Sequence, residues 1–398
     1  MSIADAAAAA GQTSFFVRRT QKFSRARCRR TIDPWLWKET LMRRFMCRLA
    51  AVAAIAGGAA SAWAAPYSTM YSFGDSFSDT GNLVGALATR PIEDVLAWWP
   101  PFAIPGYADG FFQGRPTNGP SAVEHLAGTL GIGLTNYAWT GALSGHGNVL
   151  PFVNTAFGAT GLRDQVDAHL SATGSADPDA LYFVWGGHND FWGLGQALPA
   201  SLDDGARRAA LQQAGTLAAQ DIAGNVDALI DAGARNILVL NSIALEYEPF
   251  WAATFASDPQ LRALLHEGVD TMNTRLDALL DTLDGTQPAV NLMRFDAQDW
   301  YEDTIAAVLA GNAPGGLTNA ASACFDFNGS AFAACGAPDE YFFWDSIHLT
   351  TAAYSMLAGE LAGVAAAPVP EPSAAAMMAA GGLLLLLRRR RVATAKAA

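Results

Sequence analysis

Short apolar runs rich in β-branched and aromatic residues recur along the chain at Thr69 to Phe73, Thr135 to Trp139, Leu181 to Trp185, Asn236 to Leu240 and Val290 to Phe295. Runs of this length and make-up read as buried strands. Between them the apolar positions take a helical period. Leu162, Val166 and Leu170 follow at i+4 steps, an Ala-rich segment extends from about Asp203 to Ala232, and another covers Leu261 to Leu283. Ser121 with Glu124 three residues later makes a capping box for a further helix, directly after the turn Asn118-Gly119-Pro120. Strands alternating with helices predict an α/β fold with a mainly parallel sheet covered on both faces. The Pro- and aromatic-rich stretch from Trp98 to Phe112 has no period and reads as a packed loop.

The two ends follow other rules. Arg43, Arg44 and Arg48 precede an apolar run from Leu49 to Ala60, and Ala62-Trp63-Ala64 supplies a small-x-small cleavage pattern. Residues 42–64 therefore read as a secretory signal peptide, and residues 1–41 as an upstream extension outside the fold. At the other end stand Val369-Pro370-Glu371-Pro372, an uncharged run Ala374 to Leu387, and Arg388 to Arg391. The 14 apolar residues reach about 21 Å, short of a roughly 30 Å hydrocarbon core. This tripartite tail, residues 368–398, resembles the PEP-CTERM sorting signal of Gram-negative bacteria, and the resemblance implies an exosortase-type processing enzyme as partner. An ordinary weak membrane tail is the alternative. Membrane contact is expected only through these two ends. The expected location is the periplasm, the cell surface or the extracellular space.

Between them, residues 66–367 show no repeat, low-complexity linker or second charge regime, and read as one domain. The 398-residue chain is 51% apolar and 16% charged, enough for a well-filled core. Bases cluster at the ends, leaving the middle with nine arginines and no lysine against 33 acidic residues, a formal charge of −24. So acidic a body repels phosphate backbones and anionic lipid surfaces, which excludes nucleic acid as a partner. Cys28 and Cys47 fall in the leader, so the mature chain keeps Cys324 and Cys335. One even pair in an exported chain suggests a disulfide, worth about 3 kcal/mol for so short a loop. Four cysteine-type metal ligands are absent, and no metal site is expected.

The first strand runs into Gly74-Asp75-Ser76-Phe77-Ser78-Asp79-Thr80-Gly81-Asn82, a polar turn placed where open parallel sheets expose their carboxyl ends. A serine there can be a nucleophile, and taken alone it can equally cap a helix. A hydroxyl needs a general base, and the base an orienting carboxylate. Trp344-Asp345-Ser346-Ile347-His348-Leu349-Thr350 supplies both, on a loop ahead of a helix beginning near Thr351. His125, His169 and His266 sit on predicted helices as surface or boundary residues, and His146 in a Gly-rich loop. His188 differs, because Trp185-Gly186-Gly187-His188-Asn189-Asp190 also emerges from a buried strand at the carboxyl edge. Asn189 can point its amide at a developing oxyanion, and a backbone N–H near Gly141 in Asn136 to Ala142 can join it.

FGDSFSDTGN, NYAWTGA, GGHND and DSIH, in that order, resemble the four blocks of the GDSL or SGNH hydrolase family. GRPTNGPSAVEHLA, from Gly114, resembles a segment of its lipase and lecithinase-type branch. The resemblance covers essentially all of residues 66–367. It implies a flavodoxin-like three-layer α/β/α sandwich and a serine esterase or lipase needing no cofactor. Ser76 would be nucleophile, His348 base and Asp345 its partner, with an oxyanion hole from Ser76 N–H, Gly141 N–H and the Asn189 side chain. An acyl ester or phospholipid would be the substrate. Three departures stand out. Phe77 replaces the family's Leu, Thr140 precedes Gly141 where a second Gly is common, and Asn241 to Leu245 lacks a Pro and Asp often found there. The aromatic loop Trp98, Trp99, Phe102, Tyr107, Phe111 and Phe112 can wall an acyl site or form a satellite core. A carbohydrate O-deacetylase of the same fold, and an exported envelope or matrix protein without activity, are the other readings.

Overall fold

The computed structural model describes residues 67–366, apart from positions 200 and 313. The expected signal peptide, upstream extension and sorting tail lie outside the described residues. Five strands form the central sheet: β1 (Thr69–Gly74), β2 (Gly133–Asn136), β3 (Leu181–Trp185), β4 (Asn236–Leu240) and β5 (Asn291–Phe295). All are parallel, in the order β2-β1-β3-β4-β5. This is the flavodoxin-like order, whose direction reverses between β1 and β3 and so opens a crevice at their carboxyl ends. Every residue of β3 is buried, as an unbroken apolar run in a central strand covered on both faces must be.

Seven longer helices cover the sheet: α1 (Ala122–Leu130), α2 (Leu162–Thr173), α3 (His188–Ala197), α4 (Asp204–Asp231), α5 (Pro259–Thr286), α6 (Ala297–Leu309) and α7 (Thr351–Ala365). α2, α3 and α5 pack with α4, while α1 packs with α7 and α6 lies beside the chain's later strands. Their starts are written in the sequence. Asp203 accepts the Ala206 N–H at 2.9 Å, Asp258 precedes Pro259 and accepts Leu261 N–H, and Asp296 accepts Asp299 N–H. Each such cap is worth about 1 kcal/mol. At α1, the Glu124 carboxylate accepts the Ser121 N–H at 2.9 Å and holds Arg115 through two contacts of 2.7 and 2.6 Å.

Three features differ from the pattern-based expectation. The second strand lies at Gly133–Asn136 rather than Thr135 to Trp139. The Asn136 side chain accepts the Ala138 N–H at 3.0 Å, an Asx-type turn that ends the strand, although Tyr137 and Trp139 still donate to Ser72 and Gly74 of β1. His169 is not a boundary residue: it is fully buried, its ring 4.4 Å from Tyr71 and 5.4 Å from Tyr137, and burial lowers its pKa. Finally, the chain before α7 builds β6 (Asn319–Ala323), β7 (Phe325–Phe327), β8 (Phe332–Ala334) and β9 (Tyr341–Phe343), outside the central sheet. β7 and β8 pair antiparallel, and Cys324 and Cys335 are disulfide-bonded across their base. Among the described residues no helix is long and apolar enough to cross a membrane.

Candidate active site

β1 ends at Gly74, whose N–H and C=O are both engaged by the buried Gln165 side chain, at 2.9 and 2.8 Å. The chain then turns: Ser78 and Asp79 donate their N–H groups to the Asp75 carbonyl, and Asp75 Oδ1 accepts the Phe77 N–H at 3.1 Å. Phe77 is driven into the core, its ring 5.3 Å from Trp185 and 5.6 Å from His348. The preceding residue, Ser76, is thereby left at the rim, 7% exposed. Among the described residues its hydroxyl makes no hydrogen bond.

Asp345 and His348 meet through their spacing of three on the loop between β9 and α7. His348 Nδ1 lies 2.8 and 3.0 Å from the two carboxylate oxygens, and Asp345 Oδ1 also accepts the N–H groups of Ile347 and His348 at 2.8 and 2.7 Å. Burial pushes the Asp345 carboxyl up, but the His348 imidazole and these donors outweigh it and leave the pKa below the usual value. The GRPTNG segment braces this loop. Thr117 Oγ1 donates to the Leu349 carbonyl at 2.8 Å, and Asn118 Oδ1 accepts the Thr351 N–H at 2.8 Å.

The remaining predicted donors come from the neighbouring strand ends. Asn189 is the second residue of α3, and its amide donates to the Ala142 carbonyl at 3.0 Å, which orients the group and leaves its second hydrogen available. Gly141 has φ +81°, and a Cβ there would overlap Asn148, so only glycine fits. The N–H groups of Ser76 and Gly141 have no acceptor among the described residues. Two carboxylates that the sequence did not single out organise these loops. Asp79 is fully buried and accepts from Gly81, Asn82, Leu83 and Thr140, so it ties the serine turn to the residue before Gly141. Asp190 accepts the Ser144 N–H and hydroxyl at 3.0 and 2.8 Å, with burial raising its pKa to about 6.

Ser76, Gly141, Asn189, Asp345 and His348 all line one cavity of about 380 Å³. Of the aromatic loop, Trp99, Tyr107 and Phe111 face it, while Trp98, Phe102 and Trp99 again pack on a satellite core around Leu83, Leu87, Val95 and Val153. Phe112 is exposed beneath the Arg115 guanidinium. Much of the wall was not readable in the sequence: Phe325 and Phe332 come from the disulfide-bonded hairpin, Leu245, Glu248 and Phe250 follow β4, and Trp344 directly precedes Asp345. Among the described residues the lining holds Glu248, Asp326 and Asp345 but no Lys or Arg. Burial, with the Asp345 and Asp75 charges nearby, pushes the Glu248 carboxyl well above the ordinary range. Elsewhere, Glu246, His266 and Glu302 bring ligand atoms within 4.8 Å of one another. His266 Nδ1 is 2.5 Å from Glu246 Oε1, an ion pair that accounts for the contact, and none of the three lines the cavity.

A family model described as GDSL-like Lipase/Acylhydrolase matches residues 70–361. Two GDSL esterase/lipases of Arabidopsis thaliana are each 25% identical, over 76% and 73% of this chain and 86% and 84% of their own. The thermolabile hemolysin of Vibrio parahaemolyticus is 25% identical over 72% of this chain and 61% of its own. Among solved structures, a lipolytic protein of the G-D-S-L family from Veillonella parvula aligns over 74% of this chain and 97% of its own, with 13% identity and a TM-score of 0.35.

Proposed function

The chain belongs to the GDSL-like lipase/acylhydrolase family, whose members among its relatives are ester hydrolases, and from that premise we propose that it is an exported serine esterase working through Ser76, His348 and Asp345. With Nδ1–H donated to Asp345, the His348 Nε2 is left as the acceptor. The Ser76 oxygen attacks the ester carbonyl carbon while Nε2 takes the hydroxyl proton. The oxyanion that forms accepts hydrogen bonds from Ser76 N–H, Gly141 N–H and the Asn189 amide. His348 returns the proton to the departing alcohol, leaving a serine acyl ester, and water repeats the sequence to release the acid. The observation that carries this reading is the shared cavity. Hydroxyl, imidazole–carboxylate pair and three donors open on one space, and two of those donors have no acceptor of their own.

An aromatic wall with acids and, among the described residues, no Lys or Arg suits an uncharged acyl group and disfavours an anionic one. The substrate is accordingly a neutral carboxylic ester, with residues 66–367 as the catalytic domain. Export rests on the charge and hydropathy pattern of residues 42–64 and on the Cys324–Cys335 disulfide, and sorting by an exosortase-type enzyme on residues 368–398. The test is hydrolysis of p-nitrophenyl esters of graded acyl length, beside phospholipid and acetylated sugar, by the mature protein and by Ser76→Ala. Loss of hydrolysis in folded Ser76→Ala is expected. Activity surviving in that variant removes the nucleophile assignment, and preference for acetyl sugar over longer acyl chains overturns the lipase reading only, in favour of the O-deacetylase one.

A further inference from the structure

We propose that His188 is a positioning residue, hydrogen-bonded to Asp75 so as to hold the Ser76 turn in register with the Asn189 amide. The proposal rests on the reading of Ser76 and Asn189 given above. Asp75 directly precedes Ser76, and His188 directly precedes Asn189. They come from the ends of adjacent strands, β1 and β3. His188 Nδ1 lies 2.7 Å from Asp75 Oδ2, with side-chain exposures of 5% and 0%. The other Asp75 oxygen holds Phe77 N–H, so this carboxylate is spent entirely on local geometry. Since Asp75 can only accept, Nδ1 carries the hydrogen.

The ring borders the same cavity as Ser76 and Asn189. Nε2 of His188 is buried and has no partner among the described residues. An imidazole with one nitrogen unpaired is a poor filler for an apolar site, where a leucine would bring no polar atom of its own. Its one polar contact is the link to Asp75. That link cannot readily be replaced by movement elsewhere. Gly187 has φ +102°, and a Cβ there would overlap Met272, so the turn into α3 is held from behind. The Phe77 ring, 4.7 Å from His188, fills the space beneath. One hydrogen bond therefore couples two strand ends whose separation sets the distance between nucleophile and oxyanion donor.

Variants at His188, Asn189 and Ser76 are compared in p-nitrophenyl butyrate hydrolysis, with folding followed by circular dichroism. His188→Asn, whose amide can donate to Asp75 much as Nδ1 does, is expected to keep kcat within about threefold. His188→Leu, which donates nothing, is expected to lose about ten- to a hundredfold in kcat with KM within about threefold, as a small misplacement near the reacting atoms does. If His188→Leu does not fold, His188→Gln, whose longer stem carries the amide past Asp75, takes its place with the same expectation. In the background of Asn189→Ala the loss should shrink to less than threefold, because both changes act through the same donor. A folded His188→Leu (or Gln) with kcat within twofold of the native protein overturns the proposal. So does full additivity with Asn189→Ala, and so does a displaced acid limb of the pH–rate profile, which would make His188 a base. Ser76→Ala separates the two readings: activity retained there defeats the active-site assignment, whereas activity lost there but intact in His188→Leu defeats the link alone.

Discussion

Gly141→Ala perturbs the proposed oxyanion hole at a single atom. At φ +81° an alanine costs about 1–2 kcal/mol in backbone strain. Its Cβ would overlap Asn148 Oδ1 and stand 3.2 Å from Leu150 Cδ1. Asn148 has little freedom to yield. Its amide donates to Thr140 O at 2.8 Å and Thr160 Oγ1 at 3.1 Å, and its oxygen accepts Leu150 N–H at 2.8 Å. Either one of these bonds breaks, at about 0.5–1.5 kcal/mol, or the segment carrying the Gly141 N–H tilts away. The expected destabilisation is about 2–3 kcal/mol, and the expected loss of one oxyanion donor lowers kcat by about 10²–10³. Steady-state hydrolysis of p-nitrophenyl butyrate should show the fall in kcat with KM little changed. Gly131→Ala is the control. It has φ +68° and ψ 30° at the end of α1 with open space around it, so it carries the backbone strain without the collision and should keep its turnover. A folded Gly141→Ala with kcat within about threefold of the native protein would refute the assignment of its N–H.

Asp345→Asn should lower kcat by about 10⁴, as loss of the orienting carboxylate does in a serine triad. Because the folded Asp345 pKa is depressed, its contribution to stability is present above the unfolded value of 3.8 and lost as pH falls through the folded one, so the variant should flatten the acid limb of a Tm-against-pH curve. Glu248 has the opposite sign: its raised folded pKa makes the protein most stable below the unfolded value of 4.5, with stability falling as pH rises above it. Glu248→Gln should remove that fall, and an unchanged pH dependence of Tm would show that Glu248 does not titrate there. Opening the Cys324–Cys335 bond, which closes a separation of 11 residues, should cost about 3 kcal/mol in thermal unfolding. It should also raise KM more than it lowers kcat, since Phe325 and Phe332 line the cavity wall. Identical KM for the oxidised and reduced proteins would deny the wall that role.

Local pattern alone determined much of this protein. Leu181 to Trp185 and Asn236 to Leu240 are strands where the sequence pattern placed them, because short continuous apolar runs, five residues in the first and Ile237 to Leu240 in the second, suit a doubly covered strand position. The contact of Asp345 with His348 is likewise local, a matter of three residues on one loop. What lies far apart in sequence had to wait for the tertiary structure. The strand order β2-β1-β3-β4-β5 decides that the ends of β1 and β3 are neighbours, and no single segment carries that information. Asp75 with His188, and Asp79 with Thr140, are pairings of buried carboxylates with partners some sixty or more positions away. Their residue types read as ordinary turn formers. His169 looked like a boundary residue because a helical period shows which face a residue takes, not how deeply other elements cover it. The cavity wall of Phe325 and Phe332 was hidden for the same reason. Its aromatics reach the site only because the disulfide-bonded hairpin folds back over the carboxyl edge of a sheet to which it does not belong.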